Sequence, residues 1–173
     1  MDLVIRGNDM HKMILRLLIL TALVLAAGGC IGNEGSGTNT SSGNNESMIT
    51  VSSLRDINRA LEDGPVLVEI GYDGCPACKA QKPIMEEIAA EYKGRASVMY
   101  IDTKKVGVLG FSVSYVPDSF VITGIEDQQY VYMRLDGQAT TNREEARFTG
   151  LTRKAVLTQT LGHALTERNG TSP

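Results

Sequence analysis

The chain has 173 residues, of which 42% are hydrophobic and 21% charged, a balance that is typical of a globular protein and excludes a disordered or fibrous one. The net charge is -3, and the only adjacent basic pairs are Lys104-Lys105 and Arg153-Lys154, so no nucleic-acid partner is predicted. With only two His residues, His catalysis and multi-His metal sites are disfavoured. The three Cys residues are therefore the most informative count.

Residues 1–30 are typical of an export signal. A basic start that ends at Arg16 precedes an almost purely apolar run over residues 17–27. As a helix this run would span roughly 16 Å, about half the hydrocarbon thickness of a bilayer. Such a length favours a signal-peptide core over a permanent membrane span.

The residues that end this segment, Ala27-Gly28-Gly29-Cys30, resemble a lipoprotein signal box and predict lipidation of Cys30. Ordinary cleavage nearby and a retained anchor over residues 13–31 stay open as alternatives. All three predict a domain outside the cytoplasm, anchored to the membrane, or secreted if it is cleaved without lipid. Residues 31–47 are nearly all Gly, Asn, Ser and Thr, which predicts a flexible linker.

Residues 48–168 are predicted to form one domain, and residues 169–173 a disordered tail. A short strand over 49–51 leads to a helix that begins at Ser53, where Asp56 completes a capping-box-like pair. The helix ends at Gly64-Pro65. Its inward-facing residues are predicted to be Leu54, Ile57 and Leu61.

A central strand is predicted over residues 66–70, because all of them except Glu69 are apolar. A helix over 75–93 and a strand over 96–101 follow, and the helical crossover predicts that the two strands are parallel. The helix residues predicted to face inward are Ile84, Ile88 and Tyr92.

The second half predicts an antiparallel hairpin, with strands over 116–122 and 129–135. Thr152 is predicted to cap the last helix. The fold class is therefore α/β, a mixed sheet with helices on both faces. The polar stretch within 124–146 is interpreted as a solvated loop rather than a partner-binding insertion. The inward-facing residues of the last helix are predicted to be Ala155, Val156, Leu157 and Leu161.

The chemistry is predicted to lie in Cys75-Pro76-Ala77-Cys78, at the junction of a strand and a helix. Two intervening residues let the cysteines cycle between dithiol and disulfide across one helical turn. Pro76 suits the helix start because it lacks an N–H that would be unpaired there. The helix N-terminus is expected to lower the pKa of Cys75. Cys75, the more exposed of the two, would then attack a partner disulfide, and Cys78 would resolve the mixed disulfide.

Three other interpretations of the pair are weaker. A zinc site needs four ligands, and there is no second Cys pair. Covalent haem needs a His after the second Cys, where Lys79 stands. A purely structural disulfide remains open for an exported protein, although so short a loop would stabilise the fold little. Neither a metal nor a cofactor is predicted.

The motif and its flanks resemble the thioredoxin family. The resemblance runs from Pro65 through the Cys pair to Lys79 and Pro83, continues in Tyr115-Val116-Pro117-Asp118, and returns at the entry to the last helix, residues 148–157. It covers about residues 49–165. It implies a thioredoxin fold and thiol–disulfide oxidoreductase activity on protein disulfides, without a cofactor.

The resemblance also implies roles for further residues. Glu69 takes the place of the family's buried acid, which moves the proton of the resolving thiol, and its apolar strand favours a raised pKa. Pro117 is expected to be cis and to lie against the disulfide. A groove for the partner's extended backbone is implied along Pro76, Ala77, Val116 and Pro117.

Departures from the family pattern leave the direction of electron flow open. Gly74 stands where reductive thioredoxins carry Trp, and Ala77 lacks the charge of the His found in strong oxidases. The protein is interpreted as a monomeric, membrane-tethered oxidoreductase with protein thiols and disulfides as partners, and with a membrane-bound electron donor as one scheme. The alternative is a non-catalytic lipoprotein of the same fold that binds a metal or a protein, with a structural Cys75–Cys78 bond.

Overall fold

The computed structural model describes residues 48–170, and these form seven strands and five helices. The strands are β1 (Met48–Thr50), β2 (Val66–Gly71), β3 (Ser97–Asp102), β4 (Asp118–Glu126), β5 (Gln129–Met133), β6 (Ala139–Thr140) and β7 (Phe148–Thr149). The helices are α1 (Leu54–Asp63), α2 (Pro76–Glu91), α3 (Thr103–Val106), α4 (Arg143–Ala146) and α5 (Lys154–Gly170).

Strand β2 lies inside the sheet, and all of its residues are buried. It pairs in parallel with β3 and antiparallel with β4, which confirms the predicted mixed sheet. The strand order is β1-β3-β2-β4-β5-β6, and β7 pairs with the first residues of β4. Because strand residues alternate between faces, β2 contributes to two cores at once.

Each face of the sheet has its own core. On one face, Val66, Val68 and Ile70 pack with residues of α1. On the other, Leu67 packs with residues of α2 and α5. Each fully buried aliphatic side chain of this kind contributes about 1.5–3 kcal/mol relative to an exposed one. The second of these cores holds α2, and with it the Cys pair, against the sheet.

The predicted start of α1 is confirmed, because the Asp56 carboxylate accepts backbone N–H groups from Ser52 and Ser53 at 2.8 and 2.9 Å. These two bonds hold the pKa of Asp56 below its usual value. The prediction that Leu54 faces inward is wrong. Leu54 is exposed, since it is the first residue of the helix and Ala60 takes the inward position instead.

In two helices the residues that face the core differ from those predicted. In α2, Met85, Ile88 and Ala89 are the buried apolar residues, whereas Ile84 and Tyr92 are half-buried at the edge of the core. In α5, Leu157 and Leu161 are buried as predicted, but Ala155 is exposed. In both helices apolar residues stand at several neighbouring positions, so sequence spacing left the buried face ambiguous.

The stretch 124–146 is only in part the solvated loop that the sequence suggested, since most of residues 134–145 are exposed or half-buried but the stretch also carries secondary structure. It completes the hairpin of β4 and β5, adds β6, and ends in the short helix α4. In α4 the side chains of Arg143 and Ala146 are buried. The segment packs back onto the domain because the two Arg residues at its end pair with a carboxylate in the core, as described below.

The predicted boundaries of the chain ends are only partly tested. Helix α5 continues to Gly170, so the first two residues of the predicted tail, 169–170, are helical. The signal segment, Cys30 and the linker over residues 31–47 lie outside the described residues, as do residues 171–173.

Candidate redox site

Cys75 and Cys78 form a disulfide at the start of α2, with their Cα atoms 5.2 Å apart. Cys75 is the N-cap residue, and its Sγ accepts the backbone N–H of Cys78 at 3.1 Å. Pro76 occupies the first turn of the helix, where its missing N–H leaves no donor unpaired. The sulfur of Cys75 therefore lies at the positive end of the helix, where negative charge is stabilised.

Cys75 is only marginally the more exposed cysteine in this disulfide form, because both cysteines are buried. The exposed fractions are 5% for Cys75 and 4% for Cys78. Cys75 is covered because the carbonyl oxygen of Val116 approaches its Sγ to 3.8 Å. Access to Cys75 therefore depends on the loop that precedes β4.

The peptide bond between Val116 and Pro117 is cis, as the resemblance implied. Pro117 is buried, and its carbonyl oxygen accepts the N–H of Gly150 at 2.7 Å. This bond brings the entry of α5 beside the loop and the Cys pair. Whether a partner's backbone binds here stays a prediction.

The surface around the disulfide is apolar and open. Pro76 is exposed, while Ala77 and Val116 are half-buried. Two large side chains that the sequence did not single out, Tyr115 and Leu151, are 73% and 56% exposed. Tyr115 stands two residues before Pro117, a position that could have marked it. That the four predicted groove residues form one binding surface stays a prediction.

Glu69 is only 1% exposed, and neither of its carboxylate oxygens has a hydrogen-bond partner among residues 48–170. Burial raises its pKa from 4.5 to about 8, because ionisation without a compensating partner is costly in the interior. Opposite Glu69 in β4 is Ser119, whose hydroxyl is likewise buried without a partner within the described chain. The environment is the one expected of a proton-transferring acid, although the role itself stays a prediction.

A cleft of about 220 Å³ opens beside Cys78, on the side of β3. Tyr100 of β3 reaches into it, and Gly71 at the end of β2 leaves the space that the Tyr100 ring occupies. Neither residue could be identified from the sequence, because the pairing of β2 with β3 brings them together. The residues that line the cleft are Met48, Thr50, Tyr72, Asp73, Cys78, Lys79, Lys82, Tyr100, Asp102 and Lys105.

An ion-pair cluster holds the loop that carries the cis peptide. Asp118 is fully buried, and its two carboxylate oxygens accept from Arg143 at 2.9 Å and Arg147 at 3.1 Å. Arg143 also donates to the carbonyl of Ser112 in a short contact. Both ends of the loop are therefore tied to α4. Sequence reasoning missed Arg143 because it is 25 residues from Asp118.

Two further predictions concern metal binding and attachment to a membrane. Within residues 48–170, no group of three or more His, Cys, Asp or Glu residues is arranged to hold a metal ion. Over the same residues, no helix combines the length and apolarity needed to cross a bilayer. Lipidation of Cys30 and the membrane tether lie outside this part of the chain and stay predictions.

The fold and the site define an α/β domain with a cysteine pair at a helix start facing a cis proline. The thioredoxin family model matches residues 49–143, which is more than half of the chain. The chain therefore belongs to the thioredoxin family. This agrees with the resemblance read from the Cys75 and Pro117 motifs.

Relatives in that family share part of the chain. The thioredoxin of Staphylococcus aureus is 36% identical over 47 residues, which are 27% of this chain and 45% of that protein. The chain thus spans about half the length of the curated relatives it matches. Chloroplastic thioredoxin z superposes with a TM-score of 0.52 over 69% of this chain and 95% of that one, at 17% identity. This likeness confirms the thioredoxin fold.

Proposed function

We propose that the protein is a thiol–disulfide oxidoreductase that acts on protein disulfides through Cys75 and Cys78. The observation that carries this proposal is the placement of the disulfide at the start of α2, with Cys75 Sγ accepting the N–H of Cys78. A thiolate formed on Cys75 by reduction is stabilised by that N–H and by the helix N-terminus. A structural disulfide would need neither.

The catalytic cycle uses both sulfur atoms. The Cys75 thiolate attacks a partner disulfide and forms a mixed disulfide, releasing one partner thiolate. The Cys78 thiolate then attacks Cys75 Sγ, closes the Cys75–Cys78 bond and releases the second partner thiolate. The partner gains two electrons and the Cys pair loses them. An oxidising cycle runs the same steps in reverse.

Protein partners suit the surface around the pair. The exposed Tyr115 and Leu151 and the half-buried Val116 present apolar area beside the sulfur atoms, which favours an extended peptide over a small polar disulfide. The direction of electron flow is left open by the site, because Ala77 adds no charge between the cysteines. We propose that the protein acts as a monomer.

We also propose that the domain works outside the cytoplasm, anchored through lipid on Cys30. The support is the apolar segment that ends in Cys30 and the polar linker that follows it. Cys30→Ser is expected to move the protein from the membrane fraction to the soluble fraction, because a thioether-linked lipid can no longer form. Measurement by fractionation and mass spectrometry tests this. A Cys30→Ser protein that stays fully membrane-bound contradicts the lipid anchor.

Trapping of mixed disulfides tests the oxidoreductase proposal. In a full chain with Cys30→Ser, the two site cysteines are the only thiols. Cys78→Ala is expected to accumulate a mixed disulfide between Cys75 and an oxidised protein such as insulin, because the resolving thiol is gone. Non-reducing electrophoresis and mass spectrometry of alkylated samples detect the adduct.

The matched control is Cys75→Ala, which retains one thiol of the same pair and is expected to trap at least tenfold less, since Cys78 lacks the helix-start position. Equal trapping by both variants contradicts the assigned roles. Trapping by neither would favour the non-catalytic lipoprotein with a structural disulfide.

A further inference from the structure

Gly71 creates a space that Cys78 and Tyr100 share. A Cβ placed on Gly71 would lie 3.0 Å from Cys78 Sγ and 3.2 Å from the Tyr100 hydroxyl oxygen. The sulfur and the hydroxyl are therefore no more than about 6 Å apart, a separation that a single water can bridge. A larger side chain at position 71 would separate them.

Glu69 lies on the same face of the sheet as Gly71. It precedes Gly71 by two residues in β2, and strand residues two apart share a face. Leu67, a further two residues back, packs with α2, so Glu69 and Gly71 face the helix that carries Cys78. Glu69 is also paired with Tyr100 in the register of β2 and β3. The carboxyl, the thiol and the hydroxyl thus converge on one region.

Solvent reaches this region through the cleft beside Cys78. Its volume of about 220 Å³ holds several water molecules, and both Cys78 and Tyr100 line it, whereas Glu69 does not. A proton that leaves the Glu69 carboxyl must therefore be relayed by a neighbouring group before it reaches the water in the cleft. Besides Cys78 itself, Tyr100 touches both the Gly71 space and the cleft.

The charged groups around Tyr100 belong to β2, β3, α2 and α3 and to the residues that follow β2. Burial, followed by the charges of Glu69, Asp102 and Asp73, raises the pKa of the Tyr100 hydroxyl. The hydroxyl therefore keeps its proton throughout the working range and acts as a hydrogen-bond donor. The remaining charged groups of the cleft are Lys79 and Lys82 of α2 and Lys105 of α3.

We propose that Tyr100 is a positioning residue for the resolving step, whose hydroxyl holds the water through which Glu69, Cys78 and the cleft exchange a proton. This inference rests on the proposed oxidoreductase function. In the step, the Cys78 thiol gives its proton through that water to Glu69, in the fraction of molecules whose Glu69 carboxyl is ionised. The Cys78 thiolate then attacks Cys75 Sγ of the mixed disulfide, the Cys75–Cys78 bond forms, and the partner sulfur leaves as a thiolate. Glu69 afterwards returns the proton to water in the cleft.

Tyr100→Phe tests the inference because the ring still fills the Gly71 space and only the hydroxyl is lost. The reduced full chain, with Cys30→Ser, is mixed with the aromatic disulfide 5,5′-dithiobis(2-nitrobenzoate) from pH 6 to 10. Attack by Cys75 releases one coloured thiolate, and resolution by Cys78 releases the second. Stopped-flow absorbance therefore separates the two steps as two phases.

Between about pH 7 and 8, where part of Glu69 is ionised, Tyr100→Phe is expected to slow the second phase about tenfold and to change the first phase less than twofold. The difference should vanish above about pH 9, where the Cys78 thiol ionises without help. Glu69→Gln should give the same pattern, and the double variant should lose no more than Glu69→Gln alone. A purely structural role would not produce a pH-dependent loss confined to one phase.

Tyr92→Phe is the matched control. Tyr92 lies at the end of α2 opposite the Cys pair, and its hydroxyl donates to the backbone carbonyl of Thr158 in α5. Tyr92→Phe should leave both phases unchanged. An unchanged second phase in Tyr100→Phe, or an equal fall of both phases, overturns the role of Tyr100 and leaves the oxidoreductase intact. A parent protein whose second phase is absent, as in Cys78→Ala, overturns the proposed function itself.

Discussion

Asp118→Asn is expected to lower the free energy of unfolding by about 3 kcal/mol, because it removes the carboxylate that compensates two guanidinium groups. Arg143 is 7% exposed at its side chain and Asp118 is 0% exposed, so solvent cannot replace the lost charge. The loss is placed at the low end of the range for broken buried pairs, since Glu144 still contacts both Arg143 and Arg147. Urea denaturation of the oxidised protein measures it.

Glu144→Gln is the matched control for this prediction. Its side chain is half exposed, and exposed ion pairs contribute at most about 1 kcal/mol. Once Asp118 is replaced, Arg143→Met should cost little more, because the Met side chain still packs on Phe120, against which the guanidinium lies. A loss below 1 kcal/mol for Asp118→Asn would show that the cluster does not secure the loop.

Glu69→Leu is expected to raise the free energy of unfolding at pH 7 by about 3 kcal/mol more than it does at pH 4. The carboxyl has a pKa of about 8 in the folded protein and 4.5 as its ordinary value. Below 4.5 it is protonated in both states, so its ionisation makes no contribution to the free energy of unfolding. Between 4.5 and 8 the unfolded chain ionises first, so the folded state loses about 1.4 kcal/mol of stability per pH unit.

The gain from Glu69→Leu should therefore be smallest at pH 4 and grow until about pH 8. Denaturation curves at several pH values measure it. Glu126→Leu, at an exposed position of β4, is the control and should leave the pH dependence unchanged. A gain that is the same at pH 4 and pH 8 would show that packing, and not ionisation, is responsible.

The same substitution should impair the resolving step, since Leu cannot accept the proton of Cys78. If Glu69 is a functional acid within the core, replacing it should both stabilise the fold and slow the resolving step. A buried Glu without a partner is otherwise hard to explain, because it lowers stability at neutral pH. Glu69 therefore links the stability of the fold to the proposed chemistry.

Much of the site could be predicted from the sequence because it depends on neighbours along the chain. The helix start at Cys75, the buried strand around Glu69 and the proline at 117 are each encoded within a few residues. The apolar alternation of strands and helices likewise predicted the mixed sheet. The sequence was less able to predict which helix residues face the core. Leu54 and Ala155 were expected to be buried and are exposed, because neighbouring residues of the same helices could equally have faced inward.

By itself the sequence determined the cysteine pair, the buried acid and the order of strands and helices, since these follow from local spacing and hydrophobic pattern. Only the tertiary structure decided that Tyr100 meets the space beside Gly71, that both cysteines are covered, and that Arg143 reaches Asp118. Such contacts arise from the path of the chain through the sheet, which places residues far apart in sequence within a few ångströms of one another.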